Sequence, residues 1–583
     1  METWSKIKEA VGSSGGDSPR YQLVGASSVF TTLKDKSSKT RNIILGAGTA
    51  AFLLFLYLLG HSLSGSSGHA VISTDRLPPS FLHLLSSAPK ADSNLCKNIV
   101  SSGALGYTNP SILGWEEPAK GHEEGHKYSA SDRVAHVQKY LKKRADQDVV
   151  LIVDGYNTWF QLRPQTLLSR YFDINSKADE RIVKQLGSDS YHIHQEIVFA
   201  AQRTCDPWTK EEAACYAAPE SILPTSTYGS DTDKTPQTTR PRYLNSDFII
   251  GSAKALRALY AQVAHRMQQN GDNQDIHRIM GQIYGDQEIH RELLHQSSRS
   301  WLGRAFSSSS SAKSSAYKPA DIASVQTRNV TSLEFGIGLD YESKLAYVAS
   351  SPSETTTTKY GGEDGTLSWI PLNDASRIYT ANEHLSISQS SSPLKIDTPS
   401  PDIATTVPPF WTFSEENPLP RSAKWSEVPL LTDVVTGISP VTLILPRGGS
   451  DDLRRKWWDR MWFQKHARTL FTAQIYAPMG VVAVTSGTYP VTALSPPNST
   501  ETTVSVVDDF DATMPVSAAV PLPAQPQAAW ESGVKQWWNP EDWKGGARTV
   551  IERRWLRYDD ICDGTEDEVF RDGKGRWLLP KNH

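Results

Sequence analysis

From Val149 to Val153 five apolar β-formers follow one another without alternation and stop at Asp154-Gly155. A continuous apolar run of this length reads as a strand buried on both faces, as in a parallel α/β sheet. A carboxylate where such a strand ends sits where open α/β sheets bind ligands. Tyr156, Trp159 and Phe160 add aromatic surface beside it. The plainer alternative is a strand closed by a turn, with Asp154 solvated, because Asp-Gly is a common turn pair. Upstream, Ser129–Arg144 carries Val134, Val137, Tyr140 and Leu141 at helical spacing and leads directly into the strand. Downstream, Tyr191–Ala201 predicts a second strand through Ile197, Val198 and Phe199, and Arg242–Gly251 a third. Ser252–Gln268 reads as an amphipathic helix with Leu256, Leu259, Val263 and Met267 on one face. Asp275–His295 predicts another helix, broken near Gly285. Dense apolar sequence returns at Leu333–Val348 and at Val441–Ala477. Strands alternating with helices predict an α/β domain.

One apolar stretch has a different meaning. Asn42–Gly60 contains 19 residues and no charge, enough helix to cross a hydrocarbon core of about 30 Å. About 40 residues precede it, too long a leader for a cleaved signal peptide. Lys34, Lys36, Lys39 and Arg41 flank its N-terminal side, and no Lys or Arg follows until Arg76. By the positive-inside rule, residues 1–41 form a cytosolic tail, 42–60 a single transmembrane helix, and the rest of this type II protein is lumenal.

Residues 61–95 are Ser- and Pro-rich and read as a stem. The lumenal domain is expected over 96–478, with disordered insertions at about 305–320, 350–365 and 385–408. Residues 479–583 form a Pro- and Trp-rich extension whose tryptophans (Trp530, Trp537, Trp538 and Trp543) are expected to fold back onto the domain. In an oxidising lumen Cys205 and Cys215 make a plausible local disulfide, while Cys96 and Cys562 either pair or stay free. Asn329 and Asn498 head N-glycosylation sequons. A net charge of −4 and a pI near 6.4 give no support for a nucleic-acid partner.

Seven segments in order carry a resemblance: Ala104–Trp115, Val150–Leu162, Val198–Trp208, Tyr243–Gly251, Asp272–Gln274, Leu333–Ser343 and Trp457–Phe463. Together they resemble the glycosyltransferase domain of the procollagen lysyl hydroxylases, and more closely its fungal membrane-anchored relatives. The match runs from about Ala104 to Leu470 with the insertions removed. The resemblance implies a GT-A fold, a Rossmann-like α/β sheet that binds a UDP-sugar with Mn2+, here in the Golgi or endoplasmic reticulum, and passes a hexose to a lumenal glycan or protein acceptor. It places Asp154 and Asn157 at the metal, Asp154, Asn245 and Trp115 at the donor, and Asp272 or Asp247 on the catalytic side.

The ligand positions depart from the family pattern. The second aspartate of its Asp-x-x-Asp motif is Asn157, its Asn-Ser-Gly is Asn245-Ser246-Asp247, and the acidic residue before Gln274 is Asn273, with Asp272 beside it. Gln202 stands where a glutamate is expected, and Pro446-Arg447-Gly448-Gly449 stands where the family has His-x-Asn-Gly. Loss of one outer partner of a metal site costs roughly 10–100-fold in affinity, and loss of direct ligands at least as much. Two readings stay open: a working transferase in which Asp247 or Asp272 substitutes for a lost carboxylate, and a glycosyltransferase-fold pseudoenzyme that binds a glycan or partner. A purely structural membrane protein is the third.

Overall fold

The computed structural model describes residues 80–107, 109–115, 128–186, 193–236, 238–270, 275–306, 333–349, 367–371, 401–404, 425–433, 435–447, 451–476, 481–483, 492–494, 536–538, 546–550 and 555–575. All belong to the compact unit Pro78–His583. The transmembrane segment 42–60, both sequons and Asp272 lie outside these residues. Among the described residues no helix is long and apolar enough to cross a membrane.

The chain is mixed α/β, built on one large, mostly parallel sheet compatible with a Rossmann-like fold. Its centre runs β1 (Ser80–Ser87), β3 (Val149–Asp154), β6 (Tyr243–Ser252), β5 (Ile197–Gln202) and β7 (Ile337–Asp340), with β2 (Ser111–Leu113) pairing the end of β1. β1, β2, β3, β5 and β7 point one way, and β6 runs against both of its neighbours. β3 is buried on both faces, as its unbroken apolar run requires. Val149, Leu151 and Val153 pack with α1 (Ser93–Ala104), while Val150 and Ile152 pack with α2 (Ala130–Leu141). Ser129 caps α2 in a reciprocal capping box with Asp132. α3 (Pro164–Leu186) follows β4 (Thr158–Phe160). α4 (Ala253–Asn270) buries Leu256, Leu259, Val263 and Met267 in the same layer as α2.

α5 (Ile276–Phe306) is continuous through Gly285, so no break occurs there. The glycines serve packing. A Cβ on Gly281 would lie 2.1 Å from the Trp208 ring, and one on Gly285 2.5 Å from the Ala213 backbone. A small second sheet orders β4, β11 (Thr442–Ile444) and β8 (Ala346–Val348). β9 (Leu367–Pro371) and β10 (Pro429–Asp433) pair separately.

Three expectations about domain limits change. The stem does not extend to residue 95, because β1 is a central strand with Leu82, Leu84 and Leu85 buried. The domain does not stop at 478. β14 (Gln536–Trp538) pairs with β1, following the antiparallel pair of β12 (Val481–Ala483) and β13 (Thr492–Leu494). β15 (Gly546–Thr549) joins β2 and β16 (Trp555–Arg557), while Cys96–Cys562 is a disulfide spanning 466 residues. Trp458 Nε1 donates to the Val569 carbonyl at 2.8 Å, so the aromatic helix α6 (Asp451–Arg460) seats that tail. Finally, residues 401–404, placed within an insertion, dock on α3 through Arg170–Asp402 and the buried Ile403. Cys205–Cys215 forms as expected.

At the start of the sheet, buried His83 links β1 to its surroundings. Its Nε2 lies 3.2 Å from Asp148 Oδ2 and its Nδ1 2.9 Å from the Tyr140 hydroxyl. Burial lowers the His83 pKa, partly opposed by Asp148. Asp148 is itself buried, which alone would raise it, but His83 and the N–H groups of Phe81 and Ala145 hold it below its ordinary value. Both shifts act in the same direction. An unfolded histidine takes up a proton below about pH 6.5, while folded His83 takes one up only at lower pH. Folded Asp148 resists protonation below about pH 3.9, where the unfolded residue accepts it. Stability should therefore fall as pH drops from 7 to 5 and fall again below about 4. Urea midpoints across this range should show the decline, and His83→Gln should flatten its upper part. A midpoint constant from pH 7 to 5 would contradict the assignment.

Candidate functional site

Asp154 ends β3 opposite Ser87 of β1, and Ser87 is also in register with Leu113, two residues before Trp115. The carboxyl ends of three parallel strands thus meet there, with Trp115 half-buried against the core. The Asp154 side chain is mostly buried, and its Oδ1 accepts the N–H groups of Tyr156 at 2.9 Å and Asn157 at 3.1 Å. This Asx turn leads the chain out of β3 and into β4 of the small second sheet. Gly155 fits closely within it: a Cβ would lie 3.0 Å from the Ser87 carbonyl oxygen, a tight contact.

Asp247 reaches the same place from β6. Opposite β5, the pairing jumps from Phe199–Ile249 to Ala200–Asn245, leaving Ser246, Asp247 and Phe248 bulged out. Opposite β3, Val153 pairs with Phe248, so one further antiparallel step sets Asp247 against Asp154. Bulges often re-aim a side chain beside a functional site. Polar contacts brace this one. Asn245 donates from Nδ2 to Gln202 at 2.8 Å and accepts the Asp247 N–H at 2.9 Å. Gln202 in turn donates to the carbonyls of Thr204 and Asp206. The Ser246 N–H donates to His277 Nδ1 at 3.1 Å, and the Ser246 hydroxyl lies 2.8 Å from the same nitrogen. Burial is the main cause that pushes His277 down, which suits an imidazole receiving those donors.

Two arginines from one segment complete the arrangement. Arg447, just past β11, bonds both carboxylate oxygens of Asp247, from Nε at 3.2 Å and from Nη2. Its Nη2 also lies 3.9 Å from Asp154 Oδ2. Arg454, on α6, donates to Asn157 Oδ1 at 2.6 Å and to the carbonyls of Tyr156 and Pro446. Desolvation, then the charge of Asp247, raises the Asp154 pKa, with Arg133 and Arg447 opposing. Against its own desolvation, Arg447 is held above the ordinary guanidinium value by Asp247 and then Asp154.

Asp154, Asn157, Asn245 and Asp247 therefore come together at one edge of the sheet, and Trp115 follows a strand that ends there. Asp272 lies outside the described residues. Arg447 and Arg454 carry no role in the sequence reading, although Arg447 falls within the segment that replaces the family's histidine. A divalent cation does not fit this donor set as it is engaged: Asn157 Oδ1 accepts from Arg454, both Asp247 oxygens from Arg447 and Asp154 Oδ1 from two backbone amides, leaving Asp154 Oδ2, 3.9 Å from Arg447, as the one oxygen outside these hydrogen bonds. Among the described residues no group of three or more His, Cys, Asp or Glu is placed to hold a metal ion. No protein-family model matches the chain, and no curated protein matches it.

Arg454→Ala should leave buried Asn157 without its charged partner and free the turn from α6. A loss of about 1.5–3 kcal/mol is expected for such a charge-assisted contact, read from urea unfolding. An unchanged midpoint would show that the clamp contributes no stability.

Proposed function

We propose that this chain is a glycosyltransferase-like type II membrane protein of the Golgi or endoplasmic reticulum whose lumenal domain binds a UDP-sugar. The observation that carries this reading is a carboxylate-ended parallel strand, β3, flanked by antiparallel β6, with carboxylates and guanidiniums gathered at the strand ends. Open α/β sheets bind ligands at that edge, and the exposed Arg447 guanidinium suits the oxygens of a diphosphate. The GT-A assignment within the broader Rossmann-like class belongs to this proposal. Two disulfides agree with an oxidising compartment.

In the enzymatic form of the reading, an acceptor hydroxyl bonds to the anomeric carbon while the bond from that carbon to the diphosphate breaks. The bonding pair leaves with the nucleoside diphosphate, and the hydroxyl proton passes to a base. Both oxygens of Asp247 accept from Arg447, so Asp272 is the candidate for that base. The same engagement of Asp247 favours a second reading, a pseudoenzyme that binds a glycan or a partner protein.

UDP titrated into the purified full chain by calorimetry should give saturable heat. Incubation with UDP-hexoses and lumenal acceptors should release UDP, and Asp154→Ala should abolish that release. No binding at millimolar UDP overturns the UDP-sugar reading and favours the pseudoenzyme, and turnover surviving in Asp154→Ala overturns the placement of the site.

A further inference from the structure

We propose that the Arg447 guanidinium stands in the place of a divalent cation, so that this site takes the diphosphate of a nucleotide-sugar without metal. The inference rests on the UDP-sugar reading above and adds how the charge is supplied. A diphosphate leaving a sugar needs positive charge on its oxygens, which a metal ion can provide. Here the group lying between Asp154 and Asp247 is a side chain. Arg447 turns Nε and Nη2 toward Asp247, which leaves the two N–H bonds of Nη1 out of that pairing. The side chain is 52% exposed although both carboxylates beside it are largely buried. Its inner edge is thus fixed by two acids and its outer edge is open to a ligand.

The residues that would otherwise hold a cation are engaged, and the engagement is built from the same chain segment. Arg454, seven positions after Arg447, donates to the Asn157 side-chain oxygen Oδ1 and also to the backbone carbonyl of Pro446, beside Arg447. It therefore ties the arginine-bearing loop to the turn that follows Asp154. Arg133, on α2, adds a third positive charge within electrostatic range of Asp154. Guanidinium remains charged at any working pH and pairs with phosphate oxygens through parallel N–H bonds. A cation site must instead recruit its ion from solution. Nucleotide binding should accordingly be independent of chelator and should depend on Arg447.

The test is calorimetric titration of UDP into the full chain in EDTA and in Mn2+, for the wild type, Arg447→Ala and Arg447→Lys. The wild type should bind with a Kd equal within about twofold in the two buffers, and Arg447→Ala should weaken binding by about tenfold or more in both, as expected for loss of a charge-assisted contact. Arg447→Lys, which keeps the charge without the fork, should fall between them. Urea midpoints of the variants show whether they remain folded. If they do not, the wild-type comparison between EDTA and Mn2+ decides by itself. Binding that requires Mn2+, or that Arg447→Ala leaves unchanged, overturns the inference while the UDP-sugar reading survives. Absence of UDP binding by the wild type in both buffers overturns that reading and this inference with it.

Discussion

Two carboxylates brought face to face across adjacent strands set the terms for this structure. Asp154 ends β3, and Asp247 directly precedes Phe248, the last β6 residue paired with β3, with both side chains largely withdrawn from water. Like charges held close together disfavour their ionised forms, and burial removes the solvent that would screen them. The raised Asp154 pKa expresses that conflict. Arg447 relieves it by bonding Asp247 through both oxygens and standing 3.9 Å from Asp154. Because Arg447 follows β11, the relief also joins the small β4–β11–β8 sheet to the edge of the large one. Arg454 repeats the connection from α6 to the Asp154 turn.

The same region depends on the end of the chain. α6 buries Arg454, Trp457 and Trp458 along one face, both tryptophans fully buried. Trp458 sits edge-on to Trp159 and donates to Val569 in the tail. Tyr558 donates to Asn109 at 2.6 Å, and Cys562 is bonded to Cys96 on α1. The tail therefore closes the layer that holds α1, β4 and α6 against the sheet. Packing made of large aromatic side chains is specific as well as apolar. That links the position of Arg454 to residues more than a hundred places away.

Much of the fold was legible where one local pattern decided it. The unbroken run Val149–Val153 marked β3, the spacing of Leu256, Leu259, Val263 and Met267 marked α4, and Ser129 marked the start of α2. β1 was hidden because His83 interrupts its apolar residues and Ser86 and Ser87 end it. That histidine is buried through partners at Tyr140 and Asp148, which no local pattern reveals. Gly285 looked like a helix break because the Ala213 backbone that demands its small size is distant in sequence. For the site, Asp154 could be singled out as the carboxylate that ends β3, and Asp247 by its departure from the family's Asn-Ser-Gly, although it lies within β6 rather than at its end. Their shared partner could not, since Arg447 lies 200 residues from Asp247 and its segment registered as a lost histidine rather than a gained cation.

Arg447 stands beside both carboxylates, and the proposal that it takes the place of a metal ion there is tested by manganese binding. Electron paramagnetic resonance of Mn2+ added to the full chain measures this directly, because bound manganese loses the sharp spectrum of the free aqua ion. The expected result is an aqua-ion signal of full intensity with one equivalent of protein present, in the wild type and in Asp154→Asn alike. Stoichiometric loss of that signal in the wild type, restored by Asp154→Asn, would contradict the claim.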